Sequence, residues 1–112
     1  MSKFDEAIAT YEAEVKELKL GIDSGLLKAV AKGLGPSIYK ADAAKVSSSD
    51  PDELGRVKTN FLIKKLGLKD GPELDAAIEE VVQKLGAANR NKYRAIFYAM
   101  LVKKFKKESV YS

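Results

Sequence analysis

The chain has 112 residues, of which 46% are apolar and 32% are charged, and its formal net charge is +4. This length supports one hydrophobic core but not two, and the apolar content excludes a disordered chain. The absence of cysteine and histidine excludes disulfides, thiolate–zinc sites, and Ser-His-Asp or Cys-His catalysis within the chain. The high content of charged residues favours a helical chain, and we expect a single helical domain over residues 1–112, with no metal site and no cofactor.

The location of the protein is predicted from its hydrophobic runs. The amino-terminal residues MSKFDE contain no hydrophobic run and become acidic at once, unlike a secretory signal. The longest apolar run covers residues 95–102, which is far short of the ~20 residues that a membrane span needs. We expect a cytoplasmic protein with no membrane span.

The first half of the chain predicts two helices and a connection. The first helix covers residues 3–19, because apolar residues recur there at helical spacing: Phe4, Ile8, Tyr11, Val15 and Leu18. The second begins at Asp23 or Ser24 and ends at Gly33 or Gly35. Pro36 then opens a short helical turn, and residues 40–49 are interpreted as a surface connection.

The third and fourth helices carry clear start signals. Asp50 is a predicted N-cap, Pro51 occupies the first turn, and Glu53 is the predicted capping-box partner that bonds back to the cap. This third helix ends at Gly67. The fourth begins after Pro72, and residues 74–85 show an apolar stripe that ends before Gly86.

The fifth helix is predicted over residues 91–106. It is apolar on nearly every face, which is typical of a helix surrounded by others. Tyr98 lies on its second face, and we expect its hydroxyl group to find a polar partner. The sequence thus predicts an all-α, compact single-domain bundle of about five helices with the C-terminal helix at its centre.

Four segments resemble those of a family of small bacterial proteins. They are residues 33–39 (GLGPSIY), 60–68 (NFLIKKLGL), 89–95 (NRNKYRA) and 107–111 (KESVY). The chain resembles, over almost its whole length, the family called domain of unknown function twenty-eight fifty-three. The resemblance implies a bacterial, single-domain helical protein without an assigned activity, and it brings no catalytic or binding residues.

The basic residues concentrate at the end of the chain. Residues 1–89 contain 13 basic and 15 acidic residues, a net charge of −2, whereas residues 90–112 contain 7 and 1, a net charge of +6. Arg90, Lys92 and Arg94 fall in or beside the first turn of the fifth helix, where each cation costs about 0.3–1 kcal/mol. Three arrangements would offset that cost: exposure to water, an external anion held at the helix start, or internal carboxylates from the set Asp42, Asp50, Asp52, Glu79 and Glu80.

The function that these features favour is that of a small non-enzymatic interaction or accessory protein. Its predicted anion site consists of Arg90, Lys92 and Arg94, and its partner is an anionic ligand or another protein. One alternative is a nucleic-acid-binding protein that uses the basic last helix, although its two basic groups do not form a continuous track. The other is an enzyme that uses carboxylate or tyrosine chemistry near Tyr39 and the glycine-rich turn.

Overall fold

The computed structural model describes residues 3–40, 44–86, 89 and 92–111. Five α-helices follow one another in this part of the chain: α1 (Lys3–Leu18), α2 (Ser24–Leu34), α3 (Pro51–Arg56), α4 (Pro72–Leu85) and α5 (Arg94–Lys104). A π-helix, Val57–Lys65, continues α3 directly, and two short 3₁₀ turns cover Gly35–Tyr39 and Glu108–Tyr111. The all-α prediction is confirmed.

The apolar stripe of α1, the N-cap of α2 and the glycine at the end of α2 are as predicted. The inward stripe of α1 buries Ile8, Tyr11 and Val15. Asp23 is the N-cap of α2, and its carboxylate accepts a hydrogen bond from the Leu26 amide at 3.3 Å. The helix ends at Gly35, whose φ of 66° lies in the left-handed region that glycine adopts without strain.

The start of α3 confirms one half of the predicted capping box and contradicts the other. Asp50 is the N-cap, but its carboxylate accepts from the Asp52 amide at 3.0 Å, and its own amide donates to the Ser47 carbonyl. The prediction that Glu53 bonds back to the cap is wrong, because the Glu53 carboxylate pairs with arginine side chains instead. The π-helix was not predicted either; it buries Val57, Phe61 and Leu62.

Helix α5 lies at the centre of the bundle, as predicted. All eight residues from 95 to 102 are buried, and α5 packs against α1, α2 and α4. The helix is shorter than the predicted span of residues 91–106, because it begins at Arg94 and ends at Lys104. Lys92 therefore lies beside the first turn and not inside it, which is one of the two placements that the sequence allowed.

The connection before α3, predicted to lie on the surface, is partly buried. Val46 is buried, and its amide donates to the Lys92 carbonyl at 2.7 Å. Next to it, Lys45 and Tyr93 form an isolated antiparallel bridge, and no strand occurs in the described residues. The segment thus ties the region before α3 to the chain that leads into α5.

None of the described helices is both long and apolar enough to cross a membrane.

Candidate functional site

The structure places two of the three predicted anion-site residues. Arg94 is the first residue of α5, and its N-cap, Tyr93, makes no capping hydrogen bond through its side chain. Lys92 lies two residues earlier. Arg90 lies outside the described residues, as does Asp42 among the predicted carboxylates.

Arg94 forms hydrogen bonds to side chains of the same protein. Its Nη2 atom donates a hydrogen bond to Oε1 of Glu53, and its Nη1 atom donates to the Tyr98 hydroxyl at 3.0 Å. The other carboxylate oxygen of Glu53 accepts from Arg56 at 2.9 Å. The side chains of Arg94 and Glu53 are only 15% and 13% exposed. We call Glu53, Arg56, Arg94 and Tyr98 the Arg94 cluster.

The electrostatics of the cluster agree with its geometry. Burial of the Glu53 carboxyl raises its pKa, but the hydrogen bonds from Arg94 and Arg56 leave that pKa below its ordinary value of 4.5. Burial lowers the pKa of Arg94, but the hydrogen bond to Glu53 and the nearby Tyr98 leave it above its ordinary value. Glu53 thus stays ionised, and its negative charge offsets the arginine at the positive end of the helix dipole.

Tyr98 connects the Arg94 cluster to the π-helix. Its ring stacks on that of Phe61 with the centroids 3.9 Å apart and the planes 16° apart. The expectation that the Tyr98 hydroxyl has a polar partner is confirmed, since it accepts from Arg94. The cluster therefore joins α3, the π-helix and α5 through one charged group and one aromatic stack.

Lys92 is a buried cation, at 3% exposure. Its Nζ donates to the Asn89 carbonyl, and burial lowers its pKa. An ammonium group in this position is not presented to solvent. Internal pairing thus accounts for Arg94, with Glu53 in place of the carboxylates named from sequence, and anion binding by Arg90, Lys92 and Arg94 stays a prediction.

The opposite end of α5 borders an open cleft of about 300 Å³. Its floor is apolar and contains Leu20, Ile22, Val81 and Met100; its rim is charged and contains Glu80, Lys84, Lys103 and Lys104. We call it the lysine-rimmed cleft. It forms where the turn between α1 and α2 meets α4 and the last turn of α5. No sequence signal pointed to it, because its walls come from three separate parts of the chain.

One carboxylate organises part of the rim. Glu80 on α4 accepts a hydrogen bond from Lys104 and lies 3.9 Å from the Lys84 ammonium group. The hydrogen bond from Lys104 lowers the pKa of Glu80, so this carboxylate is ionised. Three ammonium groups thus share the rim with one carboxylate, which leaves the cleft with an excess of positive charge.

Lys103 separates this cleft from a second one of similar volume. Its Nζ donates to the Gly21 carbonyl in the turn between α1 and α2. The second cleft, of about 300 Å³, is lined by Lys103 itself, by Asp23 and Glu108, and by Leu26, Ala29 and Tyr111. Burial, and to a smaller extent Tyr98, raise the pKa of Tyr111 to about 12, so the Tyr111 hydroxyl group stays protonated.

The geometry gives less support to an active site near Tyr39 or to a metal site. Two further clefts flank Pro51 and Gly55 on α3, and none of the four clefts whose linings are described includes Tyr39. Within the described part of the chain, no three acidic side chains are grouped so that they could hold a metal ion.

Comparison with known proteins gives a family but no activity. Residues 10–109 match the model of a family described as "Protein of unknown function (DUF2853)". No curated protein matches the chain. Because the match covers most of the 112 residues, the chain belongs to the DUF2853 family of proteins of unknown function.

Proposed function

We propose that the protein is a small non-enzymatic binding domain that holds an acidic segment of another protein in the lysine-rimmed cleft. The observation that carries this proposal is the combination of an apolar floor with a rim of three lysines and one glutamate. A cytoplasmic location is part of the same proposal, and cell fractionation tests it.

The charge of the rim favours an anionic partner. Lys84 and Lys104 have side chains that are 61% and 37% exposed, so their ammonium groups are accessible to a ligand. Cations at the end of α5 also complement the negative end of its dipole, so the fold tolerates them without a bound ligand. Lys106 and Lys107 follow directly in the sequence and extend the basic region beyond the cleft.

The floor of the cleft favours a peptide over a nucleic acid. Single-stranded nucleic acids are held largely by stacking of bases on aromatic rings, and the described residues that line this cleft include no aromatic ring. An aliphatic side chain flanked by glutamate or aspartate, in contrast, fits the apolar floor and the lysine rim at once.

The basic residues also extend too far for a small anion. A volume of about 300 Å³ is at the lower limit of ligand pockets, and the cleft is open to solvent. A small carboxylate would contact part of the rim only. An extended segment with several carboxylates would contact the rim and continue towards Lys106 and Lys107.

The test is a titration with a fluorescent peptide in which leucine residues alternate with pairs of glutamate. We expect binding that weakens as salt increases, and each of Lys84→Gln and Lys104→Gln should reduce the affinity about two- to fivefold. Lys64→Gln is the matched control, since Lys64 is exposed and lines none of the described clefts. It should leave the affinity unchanged.

Two further titrations separate the alternatives. Single-stranded RNA that binds more tightly than the peptide, with a steep salt dependence, would support the nucleic-acid alternative. Peptide binding that survives Lys84→Gln and Lys104→Gln but is lost in Arg94→Gln would place the anion site at the start of α5 instead. Absence of peptide binding by the wild-type protein would refute the proposal.

A further inference from the structure

We infer that the bound segment does not end in the lysine-rimmed cleft but crosses Lys103 into the second cleft, where a basic residue of the partner faces Asp23 and Glu108. This inference rests on the proposed function and specifies the partner: acidic residues first, then a basic one. This order runs from the lysine-rimmed cleft to the second cleft, and the partner chain can follow it from its amino end or from its carboxyl end.

The two clefts adjoin each other at Lys103. They have similar volumes and share a single wall residue, Lys103, whose ammonium group reaches across to the Gly21 carbonyl. The lysine side chain is long and flexible, and Lys103 is exposed, so its hydrogen bond can be exchanged for one to a ligand. A segment that displaces this ammonium group from Gly21 would find a continuous path along the end of α5.

The charges change sign along this path. The first half has Lys84 and Lys104 on its rim, whereas the second half has Asp23 and Glu108. Lys103 lies between the two pairs. A segment with carboxylates alone would match the first half and be repelled in the second, so electrostatic complementarity requires a cation at the far end.

The position of one of these carboxylates, that of Asp23, is defined by its own helix. Asp23 is held in place by its capping hydrogen bond from the Leu26 amide. Tyr111 also lines this cleft, and the Lys65 ammonium group lies 5.2 Å from the centroid of its ring. At Gly25, a Cβ atom would lie 2.7 Å from Oδ2 of Asp23, so a side chain there would push this carboxylate out of position.

The experiment compares two peptides that share the same glutamate–leucine half and differ in one extension, which contains either arginine or glutamine. With the wild-type protein, we expect the arginine extension to bind about two- to fivefold more tightly than the glutamine extension. Asp23→Asn combined with Glu108→Gln should remove this preference. Asparagine is as good an N-cap as aspartate, so α2 keeps its start in this variant. Gly25→Ala should also weaken the preference, without changing any charge.

The outcomes distinguish the inference from the proposed function. Equal affinity for both peptides, or a preference that survives Asp23→Asn with Glu108→Gln, overturns the inference. The proposed function still stands in that case, provided that Lys84→Gln and Lys104→Gln weaken both peptides. If neither peptide binds to the wild-type protein, both ideas are overturned.

Discussion

The ion pair between Glu53 and Arg94 should contribute more to stability than a surface ion pair does. At an effective dielectric constant of about 20, unit charges about 4 Å apart attract by about 4 kcal/mol. Loss of hydration offsets part of this attraction, because the two side chains are only 15% and 13% exposed. We expect a coupling energy of about 1–2 kcal/mol. Glu53→Gln alone should lower the free energy of unfolding by about 2 kcal/mol, because it leaves Arg94 without its carboxylate.

A double-mutant cycle measures this coupling. Glu53→Gln, Arg94→Gln and the double variant are compared with the wild-type protein by urea unfolding followed by circular dichroism, and an unchanged slope confirms that only stability differs. Arg56→Gln is the control, because Arg56 binds the same carboxylate but its side chain is 58% exposed. It should leave stability nearly unchanged. A coupling energy below about 0.5 kcal/mol, or an equal loss in the Arg56 variant, would refute this reasoning.

Three further predictions concern the same end of α5. The pKa of Glu53 lies below 4.5, so the stability that its charge provides is present above that pH and is lost as the pH falls through the lowered pKa; the difference between wild type and Glu53→Gln should therefore vanish in acid. The pKa of Lys92 is lowered by burial, so wild type should gain stability relative to Lys92→Met as the pH rises towards 10.5, as pH-dependent urea unfolding would show. Tyr98→Phe removes a hydrogen-bond acceptor of Arg94 and should cost about 1 kcal/mol by the same assay.

Sequence patterns predict the helices well because those patterns are local. The stripe of α1, the N-cap Asp23 and the left-handed Gly35 each act within a few residues, so they can be read without knowledge of the fold. The central position of α5 can also be predicted from the sequence, because a helix that is apolar on nearly every face has to be surrounded by other helices. The π-helix is not, since the apolar residues of this segment are also compatible with an ordinary α-helix.

The contacts of the candidate sites depend on residues that are far apart in sequence. Glu53 has the spacing of a capping box, but a half-buried arginine 41 residues away binds its carboxylate instead. Lys103 and Gly21 are separated by 82 residues, and no local pattern brings them together. Sequence reasoning identified Arg94 as a residue in need of a partner, but it could not identify Glu53 as that partner.

The winding of the chain from Glu53 to Phe61, which enters the π-helix at Val57, sets the direction in which Glu53 points relative to Tyr98. In an α-helix each residue turns the chain by about 100°. Removing one residue between α3 and Phe61, that is from residues 57–60, would therefore rotate Glu53 relative to Phe61 by a comparable angle. The carboxylate would then face away from α5. The number of residues between α3 and Phe61 is therefore constrained, even though some of their side chains face water.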